Sequence, residues 1–441
     1  MRSSQSTLKI GFIGYGTVAS GAVKILMAQQ DLIARRLGAR LEIARIADLD
    51  IVRDRGIALP DGVLTTQAAE IVKDPAIDIV VELIGGTEIA KGFILDAVAQ
   101  GKHVVTANKA LVAEFGEEIF AAASAKGVDI GFEASVCGGI PIIRVIKEGL
   151  AAEQINSIYG IVNGTCNYIL TKMLEENRDF SEVLKEAQAL GFAEADPTLD
   201  IGGGDSAHKL AILTNLAFGT PVSLSDIYTE GVDKITPVDI AFAEDFGYHI
   251  KLLAISKRVG DEIEARVHPT MISNDTLLSN VGGVFNAVYI DSEALGSTLY
   301  YGKGAGSLPT GSAVVSDLID IARNILSGSS GRVPPAAFVP AARKPLRIKP
   351  MAEIESLYYL RFMVQDQPGV LSKISGILGN HGISISSVIQ QGRKAVGVVP
   401  LVMMSHRAKE RDLQLALSEI NRLDYVSGAT LLIRVEGEDE E

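Results

Sequence analysis

The sequence predicts an α/β protein in three parts, and three observations carry that prediction. A glycine turn, GYGTVA at 14–19, follows a short apolar run, and strand-like and helix-like segments then alternate to about residue 133. Apolar, β-rich segments dominate 250–301, the pattern of a mainly antiparallel sheet with helices on one face. A proline-rich stretch then precedes a last segment that reads βαββαβ, a ferredoxin-like layout.

In chain order, residues 8–13 (LKIGFI) predict a short buried strand, and the glycine turn opens a helix to about residue 30. A second strand at 41–47 ends at Asp48, so an acid stands roughly thirty residues after the first glycine. Gly14 permits a tight turn, and Gly16 lets the backbone approach a pyrophosphate. The helix start at Thr17 and Val18 offers unpaired N–H groups to it. Ala47 and Asp48 then lie where an adenosine ribose would sit. Strands at 79–83 and 103–106 end in Gly85-Gly86 and Asn108-Lys109, at the carboxyl edge where a nicotinamide reaches. Helices at 89–100 and 110–125 and a strand at 128–133 complete this part. The loop 133–141, EASVCGGIP, carries Glu133 and a run of carbonyls able to hold a hard cation by oxygen ligation, and Pro141 reads as the first residue of a helix.

A strand at 157–162 leads through NGTCN (163–167) into a helix from 168, and a second helix covers 181–190. The stretch 191–213, GFAEADPTLDIGGGDSAHKLAIL, is the chemical centre of the sequence. It gathers Glu194, Asp196, Asp200 and Asp205, then a triple glycine at 202–204, then an apolar helix capped by Asp205. Asp205 and Lys209 share one helix face. That spacing serves proton transfer to a cationic substrate, and it is equally the spacing of an ordinary surface pair. Strands follow at 250–259, 262–272, 283–290 and 297–301. The loop GKGAG at 302–306, with Gly304 and Gly306, either closes over a nucleotide or simply connects to the helix 309–326. Residues 327–350 hold five of the 15 prolines and read as a linker. The acidic end at 436–441 reads as solvated.

The totals exclude some classes. A net charge of −13 argues against nucleic-acid binding, which needs a basic surface. The longest apolar runs fall short of the roughly 18 residues a membrane helix needs. The N-terminus lacks a signal-peptide pattern, and two cysteines, Cys137 and Cys166, form neither a disulfide framework nor a zinc spacing. A cytoplasmic protein is expected.

Taken together, GFIGYGTVASG, TANKAL, EASVCGGIPII, NGTCNYIL, GFAEADPTLDIGGGDSAHKLAIL and YYGKGAGSLPTGSAVVSD resemble homoserine dehydrogenase, and DQPGVL after the linker resembles an ACT domain. The resemblance covers nearly the whole chain. It implies a Rossmann-type nucleotide domain at 1–135, to which the helix 309–326 returns. It further implies an α+β substrate and dimerisation domain at 136–308, the linker 327–350 and an ACT domain at 351–441. The implied reaction interconverts L-homoserine and L-aspartate 4-semialdehyde with NADP or NAD, in a homodimer or homotetramer. Carried over residue by residue, Lys209 is the proton donor and acceptor. Glu194, Asp205, Lys109, Thr165 and Gly164 line the substrate pocket. Gly14, Gly16, Thr17, Val18, Ala47, Asp48, Gly85, Lys109, Gly191, Gly304 and Gly306 hold the nucleotide. Glu133, Val136, Gly138 and Ile140 match the family's structural sodium segment. Asp366, Gly369 and Val370 mark a place for an effector such as L-threonine. Phe192 departs from the family's usual tyrosine, and Ala19 replaces the third fingerprint glycine.

The chemistry agrees with that assignment. A lysine of ordinary pKa, ~10.4, is protonated for aldehyde reduction; burial would lower that pKa and help oxidation, and an ionised Asp205 beside Lys209 would oppose the shift. Two other readings remain open on the residues alone. Cys166 can serve as the nucleophile of an aldehyde dehydrogenase, a reading that needs a base beside it; His208 lies in the 191–213 stretch but off the helix face that carries Asp205 and Lys209. The chain can also be an amino-acid sensor that merely binds a dinucleotide. Asp48 favours NAD by bonding a ribose hydroxyl, whereas Arg45, Arg53 and Arg55 favour NADP.

Overall fold

The computed structural model describes residues 6–390 and 397–437; of the acidic end expected in solvent, Glu436 is instead paired with Lys257 and Arg266, and 438–441 lie outside the described part. The chain forms two compact units: Met1–Val162, His208–Ser225 and Phe285–Leu346 make the first, and Asn163–Ala207, Asp226–Val284 and Arg347–Glu441 the second.

In the first unit, short β-branched runs that are apolar on both faces form a six-stranded parallel sheet. Its order is Leu64–Thr65, Arg40–Ala47, Thr7–Ile13, Ile79–Glu82, His103–Thr106 and Ile130–Gly131. The order reverses beside Thr7–Ile13, the point at which open sheets bind nucleotides. Ile10, Phe12, Val81 and Val105 form its core together with Ala22 and Val23 of the helix Thr17–Ala28 and Val314, Leu318 and Ile321 of the helix Ser307–Ser327. Those two helices touch backbone to backbone. A Cβ on Gly21 would stand 1.9 Å from the Ser307 carbonyl oxygen, and one on Gly311 would stand 2.5 Å from the Ala22 nitrogen. An antiparallel trio, Ile155–Ile161, Phe285–Ser292 and Gly296–Lys303, belongs to the same unit.

Several local expectations need correction. A further helix, Gln30–Leu37, follows the first one and ends at Gly38 in the left-handed region, φ 81°. The strand expected at 128–133 is only Ile130–Gly131, because the Glu133 amide turns away to the Asp317 carboxylate (2.8 Å) and enters a short 3-10 turn. The helix expected from 168 begins at Gly164, since Asn163 caps it by accepting the Cys166 amide at 2.8 Å. Pro141 stands just before its helix, as the cap. The proline-rich segment is not loose. Arg343 forks onto Glu117 at 2.5 and 2.8 Å, the Phe338 ring seats on Gly219, and the Leu346 amide donates to Thr220 Oγ1 at 2.9 Å.

In the second unit, the expected separate small domain has no sheet of its own. The strands run Tyr248–Val259, Glu262–Ser273, Leu431–Glu436, Glu355–Gln365, Val398–Lys409, Ile385–Gln390. Leu431–Glu436 pairs parallel with Glu262–Ser273 (Thr270 opposite Arg434) and antiparallel with Glu355–Gln365. The βαββαβ order itself is present, with the helices Val370–Asn380 and Glu410–Ile420 packed through Ile374, Ile377, Leu413 and Leu417 onto Tyr358, Leu360 and Phe362. Pairing with Glu262–Ser273 satisfies an edge that would otherwise expose a row of N–H and C=O groups.

The shared sheet buries charge. Arg266 is ion-paired with Glu264 and, at 2.6 Å, with Glu436, and its Nε donates to His268 Nε2 at 3.2 Å. Burial, with Arg434 and Arg266 beside it, pushes the His268 pKa well below 6.5. Burial alone would raise the Glu436 carboxyl, but Arg266 and Lys257 hold it below 4.5. Both folded-state values are depressed, so both contributions are present above the unfolded values and are lost as pH falls. The urea midpoint of this unit is expected to drop from pH 6.5 downward and faster below 4.5. The slope is about 1.4 kcal/mol per pH unit for each proton taken up. A midpoint flat between pH 7 and 4 would contradict this.

Candidate active site

The nucleotide turn is built by the first unit. Gly14 has φ 99° and its amide donates to the Ala47 carbonyl at 2.8 Å. A Cβ there would lie 2.7 Å from the Leu83 backbone, so only glycine fits. Gly16 caps the helix Thr17–Ala28 and has open space around it, so a phosphate can approach its backbone. That helix start carries Thr17 and Val18. Gly304 and Gly306 come to the same place, because Ser307 Oγ donates to the Thr17 carbonyl at 2.8 Å. Gly306 takes φ 119° to start the helix Ser307–Ser327. Asp48 is engaged on both oxygens: Oδ2 accepts the Tyr15 amide at 2.6 Å, and Oδ1 accepts the Asp50 amide at 2.8 Å. Arg55 lies 3.4 Å from Asp48, donates to the Tyr15 carbonyl at 2.6 Å, and covers the Tyr15 ring at 4.6 Å.

At the next strand ends, Gly85 and Gly86 take φ 73° and 70°. Asn108 ties that turn down, donating to the Gly86 carbonyl at 2.6 Å while accepting the Leu111 amide. It thereby caps the helix Lys109–Lys126, whose first residue is Lys109. Also in this unit, Lys209 Nζ donates to the Val162 carbonyl at 2.7 Å. His208 lies 3.7 Å from Glu114.

Glu133 caps a helix start: its oxygens accept the Ile143 and Arg144 amides at 2.8 and 2.9 Å. Val136 and Ile140 are buried, and the Ile140 carbonyl accepts the Ile142 amide at 2.8 Å. Gly138 has φ 46°, and a Cβ there would lie 2.5 Å from the Gly304 carbonyl oxygen. Burial raises the Glu133 carboxyl, and burial with Glu133 nearby pushes Asp317 up to about 7. Both border a cavity of about 290 Å³ with Arg144 and Lys147. Among the described residues, no three His, Cys, Asp or Glu side chains are grouped as a metal site.

The second unit holds the carboxylates. Asn163 is their hub: its Nδ2 donates to Asp200 at 2.7 Å and to Asp205 at 2.8 Å. Thr165 Oγ1 donates to the Phe192 carbonyl at 2.6 Å and lies 3.3 Å from Asp200. Gly164 is the first residue of that helix. Asp205 is buried in the first turn of the helix Gly204–Phe218, one residue inside rather than at its cap, and Lys209 follows one turn later. A one-turn helix, Thr198–Ile201, precedes it, and Gly203 makes the bend at φ 86°. Glu194 is exposed, and its carbonyl accepts Gln188. Gly191 ends the helix Phe180–Ala189 in the left-handed region, φ 74°. Asn163 is an addition to the expected set, and it engages Asp200, one of the four acids gathered in 191–213. An asparagine before a helix is a cap whose amide nitrogen stays available for such a bond. Cys166 is fully buried, with its sulfur 3.3 Å from the Asp200 carbonyl, which is the placing of a packed residue and not of a nucleophile. In the βαββαβ segment, Asp366, Gly369 and Val370 border a cavity of about 710 Å³ with Gln390 and Leu401.

A doubly wound parallel sheet with a glycine turn at its switch point defines the class of dinucleotide-binding proteins. A family model described as homoserine dehydrogenase matches residues 141–319, its NAD-binding domain matches 14–133, and an ACT domain matches 358–425. Homoserine dehydrogenase of Neisseria gonorrhoeae is 47% identical over 97% of this chain and 98% of its own. That of Bacillus subtilis is 43% identical over 98% of each chain. The crystal structure of a homoserine dehydrogenase from Thiobacillus denitrificans superposes with a TM-score of 0.92 at 46% identity, covering 98% of this chain and 99% of that one. A hyperthermophilic archaeal homoserine dehydrogenase in complex with NADPH gives 0.62 at 28%, covering 71% and 97%. The chain belongs to the homoserine dehydrogenase family. It is an oxidoreductase acting on the CH–OH group of homoserine, with a NAD(P)-binding domain and an ACT domain. No helix among the described residues is long and apolar enough to cross a membrane.

Proposed function

We propose that Lys209 carries the proton in the interconversion of L-homoserine and L-aspartate 4-semialdehyde, and that Asp205 and Glu194 hold the substrate's ammonium group. The observation that carries this is the helix Gly204–Phe218, which buries Asp205 in its first turn and places Lys209 one turn on. The nicotinamide, when bound, supplies or takes the hydride. In reduction, Lys209 Nζ gives its proton to the developing alkoxide; in oxidation it takes the hydroxyl proton. The Val162 carbonyl orients Nζ, and Asn163 fixes the Asp205 carboxylate. Lys109, Thr165 and Gly164 complete the substrate contacts, and Gly85 and Gly191 those of the nucleotide.

NADP(H) is the preferred nucleotide in this reading. Arg55 offsets the Asp48 charge, and the exposed Arg53 offers a cation for a 2′-phosphate. The archaeal relative's NADPH complex supports it. Replacing Arg53 with alanine should lower kcat/KM for NADP about tenfold and leave that for NAD unchanged. Equal losses for both nucleotides would reject the assignment.

We propose that Glu133, Val136, Gly138 and Ile140 hold a sodium ion. Each Glu133 oxygen keeps a lone pair beyond the amide that it accepts, so the carboxylate can cap the helix and touch a hard cation together. The ion would brace the loop and take no part in the proton transfer. The assembly is a homodimer or homotetramer, and the edge strand Gly296–Lys303, with Tyr301 exposed, is a natural surface for it. L-threonine is the proposed effector at Asp366, Gly369 and Val370. Millimolar threonine is expected to lower activity, and Asp366→Ala to blunt the response; an unchanged rate would remove threonine from the account.

A further inference from the structure

We infer that Glu230, held by Arg434, is a positioning residue for substrate binding, through which the ferredoxin-like segment sets the geometry of Asp205. The inference rests on the reading of Asp205 as a substrate ligand.

Arg434 sits on the strand Leu431–Glu436 and is 2% exposed. Its guanidinium spends one side on Glu410, the first residue of the helix Glu410–Ile420, at 2.6 and 3.1 Å. Its Nη1 donates to Glu230 Oε2 at 2.7 Å. Tyr228 closes the group: its hydroxyl donates to Glu230 at 2.9 Å, and Arg434 covers its ring at 4.9 Å. Glu230 is thus tied to two elements of the ferredoxin-like segment by one arginine.

From Glu230 the backbone leads directly to the glycine bend. The Glu230 amide donates to the Val267 carbonyl at 2.8 Å, and the Val232 amide to the Ile201 carbonyl at 2.9 Å. A Cβ on Gly231 would stand 2.4 Å from the Ile201 carbonyl oxygen and 2.9 Å from Gly202 Cα. A Cβ on Gly203 would stand 3.0 Å from Thr229 Cγ2 and 3.4 Å from the Glu230 carbonyl oxygen. Residues 229–232 therefore lie in backbone contact with 201–203, two residues before Asp205. A close-packed contact of this kind transmits a shift rather than absorbing it. Asp200 and Asp205 share the Asn163 amide, so a moved bend changes the distance between the two carboxylates.

The test uses the full chain and four variants: Glu230→Gln, Tyr228→Phe, Gly231→Ala and, as the reference, Asp205→Asn. Glu230→Gln is expected to raise KM for L-homoserine about 5- to 20-fold, with kcat within about twofold and KM for the nucleotide unchanged. Gly231→Ala, which presses on the Ile201 carbonyl and Gly202, and at 3.2 Å on Asp233 Oδ1, while leaving the Glu230–Arg434 pair in place, should raise the same KM. Tyr228→Phe keeps the ion pair and, as the control, should change it by less than about threefold; if Glu230→Gln folds poorly, a Gly231→Ala protein that melts normally and keeps a normal homoserine KM overturns the inference. A Glu230→Gln protein that melts normally and keeps a normal homoserine KM overturns the inference, as does a KM change shared by the nucleotide. If Asp205→Asn leaves the homoserine KM unchanged, the substrate reading of Asp205 fails, whatever Glu230 does.

Discussion

Lys209→Ala is expected to lose turnover by roughly 10²–10⁴ in both directions, the usual contribution of a positioned acid–base group. Nucleotide binding should persist, since the glycine turn, Asp48 and Arg55 do not depend on this side chain. The companion variant Lys209→Arg separates chemistry from packing. Arginine can still donate to the Val162 carbonyl, but it does not deprotonate at usable pH. It should fold normally and fail in oxidation. In the native protein, oxidation needs Lys209 neutral at the moment of proton abstraction, so the oxidation rate should climb toward alkaline pH while the reduction rate falls. Near-normal turnover of Lys209→Ala in both directions would move the proton to another group.

Arg266→Met is the replacement expected to cost most in stability, about 3–5 kcal/mol by urea unfolding, because Glu264 and Glu436 would keep their charges in a buried place with no cation between them. Lys257 remains 2.5 Å from Glu436 and limits the loss. Adding Glu436→Gln and Glu264→Gln should recover a large part of it, since the penalty is the unpaired charge rather than the missing contact. A single variant as stable as the native chain would mean that water reaches the cluster.

The sequence made the parallel sheet and the nucleotide turn legible because both are local. Residues 14–19 state the turn chemistry, and short apolar strands between amphipathic helices leave few arrangements. It also marked the helix with Asp205 and Lys209. It did not reveal that Asn163 joins Asp205 to Asp200, because that link runs across 37 and 42 residues of chain and depends on a cap side chain with one nitrogen left over. Reading 163–167 as a loop hid it. The strand expected at 128–133 is short for a similar reason: Asp317, 184 residues away, takes the Glu133 amide. The last segment announced its βαββαβ order but not its partner. A strand's pattern tells which face is buried and nothing of which edge is paired.

The pairing of Leu431–Glu436 with Glu262–Ser273 also has a consequence for synthesis. Glu436 and Arg266 are 170 residues apart, so at about 5–20 residues per second the ribosome needs roughly ten to thirty seconds between making the two. During that interval Glu262–Ser273 has Tyr248–Val259 along one side and Tyr228–Thr229 opposite Arg266 and Val267 on the other, but Thr270, Met271 and Ile272 lack their later partner. Arg266 waits without the Glu436 carboxylate. The nascent chain therefore passes through a window in which a half-covered sheet can pair with the wrong strand. Slowing translation between 273 and 431 lengthens that window, and chaperone demand should follow it.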